Sequence, residues 1–416
     1  MANIAWPDDR DGSLALRMVE GWTAPGFEEV RRGFERNFAY RRELGAAVAA
    51  YHRGEKVVDL WGGVRDPSLG DPWREDTLVM VYSTSKGVAA MTLALAHARG
   101  WLDYDERVAA YWPEFAQQGK GDVTVRQLLA HQAGLPVIDE PLDARMLRDF
   151  DGLAAAVARQ APAWPPGARH GYHGVSLGWF EGELIRRVDP AHRTLGRFFA
   201  EEIAAPLGLE FYFGLPADVP AARVAPIQAG SRARAVLAFR TMPSRFLIGM
   251  GRPSSLTARA FANPPFRTTA GVDTPEYRAV EFPSGGGIGQ VRSIARAYAA
   301  FAAGGAELGI GPATMAELCA PPRAPSGGSH DLVLRVESAY ALGFVKPSPH
   351  LRFGSGMSAF GHPGAGGSFA FADPEREVAF AYAPNRHGWH LVDDPREKPL
   401  RDALYRCVDR VASGAA

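Results

Sequence analysis

Val81-Tyr82-Ser83-Thr84-Ser85-Lys86-Gly87 closes one apolar run, Thr77 to Tyr82, and opens another that reads as a helix from Thr84 to about Arg99. Ser83 and Lys86 are three residues apart, a spacing that puts both side chains on one face of a helix start. A hydroxyl there, with an amine one turn on, is a nucleophile beside a candidate base. The N-terminal peptide N–H groups favour negative charge at the same place. A capping serine and a solvated lysine would satisfy the same four positions. Two features weigh against that. The chain has only five lysines, and of Lys56, Lys86, Lys120, Lys346 and Lys398 only Lys86 has a serine three residues before it. The run that follows, Gly87-Val-Ala-Ala-Met-Thr-Leu-Ala-Leu-Ala, is apolar on nearly every face, which predicts a buried helix, and a lysine at its start needs a reason.

On the N-terminal side, residues 1–25 read as an irregular lead-in. Gly26 to about Arg42 is an amphipathic helix with Phe27, Val30, Phe34 and Phe38 on one stripe. Ala46 to His52, a turn at Gly54, and Lys56 to Trp61 form a hairpin. On the C-terminal side, residues 101 to about 275 are mostly helix and loop, with helices around 123–134, 150–159 and 173–188. The stretch 231–275 mixes apolar groups with Pro, Arg and Gly and reads as a cover over a pocket, with Phe239, Met242, Phe246 and Met250 as candidate walls. A Gly-rich turn at 285–289 feeds a helix over 291–303. Strands return at Ser338–Val345, Ser358–His362, Ser368–Ala372 and Val378–Ala383, and a helix closes the chain over Asp394–Ser413.

Strands at both ends and helices between them predict an α+β fold: one antiparallel sheet built from the two chain ends, flanked by helices, with an inserted helical lobe. The division expected is 1–83 with 280–416 for the α/β sandwich, and 84–279 for the helical part and its cover.

The chain has 416 residues and zero formal net charge, with no basic run interleaved with aromatics, so nucleic acid is not an expected partner. The first residues lack a signal-peptide core, and no apolar stretch is long enough to span a bilayer. The two cysteines, Cys319 and Cys407, make no metal pattern. These features together predict a cytoplasmic protein with no membrane partner and no cofactor.

A serine hydroxyl needs a base and oriented N–H donors before it can attack a carbonyl. Lys86 serves if it is neutral, or if it shifts a partner's proton. Tyr172, in Gly171-Tyr-His-Gly just before a helix, is the second candidate base. In Phe360-Gly-His-Pro-Gly-Ala-Gly-Gly-Ser the glycines let backbone pass close to a ligand. There the Ala365 N–H is a candidate second oxyanion donor beside that of Ser83, and His362 a substrate contact. Gly174-Val-Ser176-Leu-Gly178 matches a Gly-x-Ser-x-Gly elbow, but no strand precedes it and Ser176 falls inside a helix. His387 and His390 have no acidic partner at ligand spacing, so no metal site is expected. The 285–289 segment lacks the Gly-Lys-Ser/Thr of a phosphate loop.

Ser-x-x-Lys at 83–86, Tyr-x-Gly at 172–174 and His-Pro-Gly at 362–364, with Val123 to Pro136, Pro206-Leu-Gly-Leu and the 360–367 stretch, resemble the serine β-lactamase and penicillin-binding-protein superfamily, most of all its family VIII carboxylesterases. The resemblance covers roughly residues 25–400. It implies an acylated Ser83, Lys86 assisting its deprotonation, Tyr172 as base or shuttle, and an oxyanion hole from the Ser83 and Ala365 amides. His362 and Gly364 would line the substrate strand. Two positions depart from the β-lactamase pattern, which has Asn where this chain has Gly174 and Lys where it has His362. The departures predict a carboxylesterase that takes small to medium uncharged acyl esters rather than anionic lactams. An acyltransferase or β-lactam or amide hydrolase on the same fold, and a non-enzymatic penicillin-binding-like protein, are the alternatives.

Overall fold

The computed structural model describes residues 18–229, 241–265 and 269–414. The strands used below are β1 (Val19–Thr23), β2 (Gly45–His52), β3 (Glu55–Asp66), β4 (Leu78–Met80), β5 (Phe211–Phe213), β6 (Val224–Ala225), β7 (Gly287–Gly289), β8 (Tyr340–Ala341), β9 (Phe344–Val345), β10 (Phe360–Pro363), β11 (Phe369–Asp373) and β12 (Val378–Pro384). The helices are α1 (Glu28–Tyr40), α2 (Thr84–Ala98), α3 (Phe150–Arg159), α4 (Leu177–Val188), α5 (Ser244–Met250), α6 (Val291–Ala302) and α7 (Lys398–Ala412).

The two chain ends meet in a nine-stranded sheet ordered β1-β3-β2-β12-β11-β10-β9-β8, with the short strand Asp71–Pro72 beside β3. Every pairing in it is antiparallel. This is the expected α+β architecture. Side-chain size sets which helix covers which face. On β12, Val378, Phe380 and Tyr382 point into a core shared with α1 and α7, and Phe369 and Phe371 of β11 join them. The alternate positions, Ala379, Ala381, Ala383, Ala370 and Ala372, point the other way, toward α6 and the core around α2. A face of methyl groups lets helices approach closely, and the aromatic face fills the wider gap to α1 and α7.

Several elements differ from the expectation. The lead-in contains the edge strand β1, whose Glu20 and Trp22 are exposed and hide its alternation. A second, four-stranded sheet ordered β5-β7-β4-β6 lies at the start of α2. Its strands are two or three residues long, too short for a period to register, and the Gly-rich 285–289 turn supplies β7. The helix expected around 123–134 is the single turn Val125–Leu129, capped by a reciprocal Thr124–Gln127 pair. The helix expected from His173 begins at Leu177. Among the described residues, no helix is long and apolar enough to cross a membrane.

Candidate active site

The short sheet aims Ser83. Strand β4 pairs with β7 on one side and β6 on the other. The Val81 N–H donates to Gly287 O at 3.0 Å, and the chain then turns through Tyr82 at φ +47° into α2. Left-handed backbone at a tyrosine is held only by surroundings that leave no other path. Here the Ser85 hydroxyl accepts from the Gly287 N–H at 3.0 Å and ties the first helical turn to β7. Ser83 therefore stands at the helix N-terminus with its side chain open to a cleft.

Lys86 is fully buried beneath it. Its Nζ lies 3.2 Å from Ser83 Oγ, 2.7 Å from Gly174 O and 2.5 Å from Ser284 O. A neutral amine has two N–H bonds and one lone pair. The two carbonyls can only accept, so they take the two N–H groups and leave the lone pair for the Ser83 hydroxyl. Burial pulls the Lys86 pKa from 10.5 down to about 7, against the opposing pull of Glu181. That shift favours the neutral amine by roughly 5 kcal/mol.

Tyr172 lies across from Lys86, with its ring centroid 5.1 Å from Nζ. Burial pushes its phenol well above the ordinary value, against the smaller lowering effect of its hydrogen bond with the Ser83 side chain. The resting phenol is thus neutral and touches the Ser83 hydroxyl. Its loop is pinned from below. Asp331 accepts from the Tyr172 N–H at 3.0 Å and the Tyr340 hydroxyl at 2.9 Å, and the Gly171 N–H donates to His131 O at 3.0 Å. His173 Nε2 accepts from the Leu135 N–H, so its Nδ1 carries the proton that reaches His131 Nδ1 at 3.0 Å.

The third stretch closes the site. Gly364 packs into the start of α2, where a Cβ would strike Ser368 Oγ, Val81 O and Thr84 Oγ1. Only glycine permits this approach, which brings Ala365 to the rim beside Ser83. Among the described residues, nothing accepts from the N–H of Ser83 or of Ala365. Two unengaged N–H groups facing one cleft are what a developing oxyanion requires. His362 is buried, and its Nδ1 donates to Pro363 O at 2.7 Å. Burial drives its pKa down to about 3, so it is a neutral ring whose Nε2 has no partner among the described residues.

Ser83, Tyr172, His362, Gly364 and Ala365 line one cavity of about 430 Å³, together with Met242, Phe246 and Met250. Phe239 lies outside the described residues. Ser176 is elsewhere: it is buried, and its hydroxyl donates to Leu135 O. Phe261, Trp389 and the histidines 387 and 390, weighed in the sequence only as metal ligands or not at all, are also walls. Phe261 marks the departure at Gly174. A Cβ on Gly174 would lie 2.5 Å from Phe261 Cε1, so the ring occupies the space of the missing amide side chain. Among the described lining residues Glu337 is the one acid, and there is no Lys or Arg. No group of three His, Cys, Asp or Glu side chains among the described residues could hold a metal ion.

Residues 32–404 match the family model described as beta-lactamase. The chain is 34% identical over 387 residues to the esterase/beta-lactamase LipL of Mycobacterium tuberculosis (strain ATCC 25618 / H37Rv), covering 90% of this chain and 85% of that protein. It superposes on the crystal structure of a family VIII carboxylesterase with a TM-score of 0.82 at 38% identity, over 94% of this chain and 99% of that one. A penicillin-binding-protein homologue from Caulobacter crescentus gives a TM-score of 0.80, also at 38% identity, over 94% and 99% of the two chains.

Proposed function

The chain belongs to the serine β-lactamase and penicillin-binding-protein superfamily and is a serine hydrolase of the carboxylesterase kind, and on that premise we propose that Ser83, Lys86 and Tyr172 carry its reaction on uncharged esters of small to medium acyl groups. Ser83 Oγ attacks the ester carbonyl carbon as its proton passes to the neutral Lys86 amine. The N–H groups of Ser83 and Ala365 hold the oxyanion. Tyr172, a neutral phenol in contact with the Ser83 hydroxyl, gives its proton to the departing alkoxide and recovers one from the Lys86 ammonium. Water then enters by the reverse relay and releases the acid from Ser83.

The observation that carries the substrate preference is the charge of the cavity wall. A penicillin carboxylate would meet Glu337 and a neutral His362, with no described lysine or arginine facing it. Desolvating a carboxylate without a partner is costly, whereas an ester loses little on entering. His362 and Gly364 line the strand along which the ester lies, and Met242, Phe246 and Met250 receive the acyl chain. Side-by-side kcat/KM values for p-nitrophenyl butyrate and benzylpenicillin test this: the ester is expected to be favoured, and a higher value for the penicillin would overturn it.

Two coarser readings go with it. The division into 1–83 with 280–416 and 84–279 is supported by the sheet drawing its strands from both chain ends. A cytoplasmic location is supported by Cys319 and Cys407 being free thiols.

A further inference from the structure

One carboxyl beside the site takes no part in the chemistry above. Glu181, on α4, is fully buried, and neither carboxyl oxygen has a hydrogen-bond partner among the described residues. The other buried acids of the region are satisfied. Asp331 accepts from three N–H groups and a phenol, and Asp394 is paired with Arg396. Glu181 instead sits in a slot made by absence of side chains. Gly343, in the β8–β9 turn, has φ +87°, and a Cβ there would lie 2.9 Å from Glu181 Oε1 and 2.7 Å from Ala90 Cβ. Ala90 is one turn along α2 from Lys86, so the carboxyl rests on the face of α2 that carries the amine. The start of α4 is tied to the same place, because the Gly178 N–H donates at 2.6 Å to the hydroxyl of Ser284, whose carbonyl accepts from Lys86.

We propose that Glu181 is a positioning residue for the esterase reaction: lodged on the face of α2 that carries Lys86, it titrates jointly with Lys86 through space across the α2–α4 contact and so sets the pH at which Lys86 can accept the proton of Ser83. This rests on Lys86 being the base. The other titratable groups around the pair are Tyr172, His131 and His173 of the pinned loop, His362 of β10, and Tyr298 of α6. Burial keeps each of them neutral at pH 7. Glu183, on α4 itself, is held by Arg186 and Arg187. Among the described residues, Glu181 is therefore the one counter-charge acting on Lys86, and Lys86 the one acting on Glu181. Burial pushes Glu181 up to about 8 while it pulls Lys86 down to about 7. The two titrations thus converge, a single proton on the pair lies either as ammonium and carboxylate or as amine and acid, and the steps belong to the pair.

The test is the pH profile of kcat/KM on a neutral p-nitrophenyl ester for wild type and Glu181→Gln. Wild type is expected to rise over two overlapping titrations, because the ammonium–carboxylate form withholds part of the base. Glu181→Gln is expected to rise in a single one-proton step, displaced to lower pH by about one unit. Superimposable profiles would overturn the pairing. A thermal melt gives a readout without turnover. A carboxyl held above its unfolded value contributes stability that is present at low pH and lost as pH rises through about 8. The melting temperature of Glu181→Gln should therefore gain on wild type between about pH 5 and 8, and a constant gap would show a carboxylate ionised throughout that range, which overturns the joint titration. If Glu181→Gln does not fold, Glu181→Leu carries the same two expectations. Lys86→Ala separates the failures. If it acylates as wild type, the base assignment falls and the pairing with it; if it is inactive while Glu181→Gln keeps the wild-type profile, only the pairing falls.

Discussion

Gly174→Asn would restore the amide side chain of the β-lactamase pattern, and the structure predicts that it damages the enzyme. The backbone at Gly174 is not left-handed, so the objection is steric alone. A Cβ there lies 2.5, 3.1 and 3.2 Å from three carbons of the Phe261 ring, where ordinary contact begins near 3.4 Å. The ring must move by almost 1 Å before the rest of the asparagine is placed. Phe261 is itself held by Tyr172 and Phe246, with ring centroids at 6.4 and 6.3 Å. Overpacking of this kind costs about 1–3 kcal/mol. The shift is transmitted to the chemistry, because Gly174 O is one of the two carbonyls that orient Lys86. Urea denaturation and kcat/KM on p-nitrophenyl butyrate, for wild type, Gly174→Asn, Phe261→Ala and the double variant, form a closed cycle. Gly174→Asn should lose stability in the range given and about tenfold or more in ester turnover. Removing the ring should restore room, so the double variant should be better than additive by about 1–3 kcal/mol. Strictly additive losses, or a Gly174→Asn enzyme with wild-type turnover, would refute the claim that Phe261 fills the amide position.

Lys86→Ala and Tyr172→Phe should each slow acylation by about a hundredfold or more while leaving the fold intact, as for a lost general base or relay; stopped-flow release of p-nitrophenol reads this, and normal turnover in Tyr172→Phe would remove the phenol from the relay. Phe246→Ala should extend the range of acyl chains accepted, since Phe246 is buried against Phe261 at the cavity wall. A panel of ester chain lengths with a parallel melting curve checks it, and an equal loss on every ester would assign Phe246 to packing alone.

The parts of the fold that the sequence disclosed are those whose period is long enough to count. The alternation of β12 and the stripe of α1 each run for several residues, and both lie close to where they were expected. The four-stranded sheet escaped because β4 to β7 are short and are defined by partners distant in the chain. At the site, Ser83 and Lys86 were legible because one helical turn joins them, and Tyr172 because glycines flank it. Phe261, Trp389 and the wall role of His387 were not, since loop residues reach a cavity through tertiary placement that no local spacing encodes. Glu181 did leave a signal. It stands four residues after Leu177 and four before Ile185, both buried, so a carboxyl occupies the apolar stripe of α4. A charged residue at a core position of a strongly amphipathic helix calls for a partner.

The central claim is that acyl transfer runs through Ser83. Intact mass after incubation with a fluorophosphonate, on wild type, Ser83→Ala and Ser176→Ala, tests it most directly. One adduct is predicted on wild type and on Ser176→Ala, and none on Ser83→Ala. An adduct that persists in Ser83→Ala and disappears in Ser176→Ala would contradict the account.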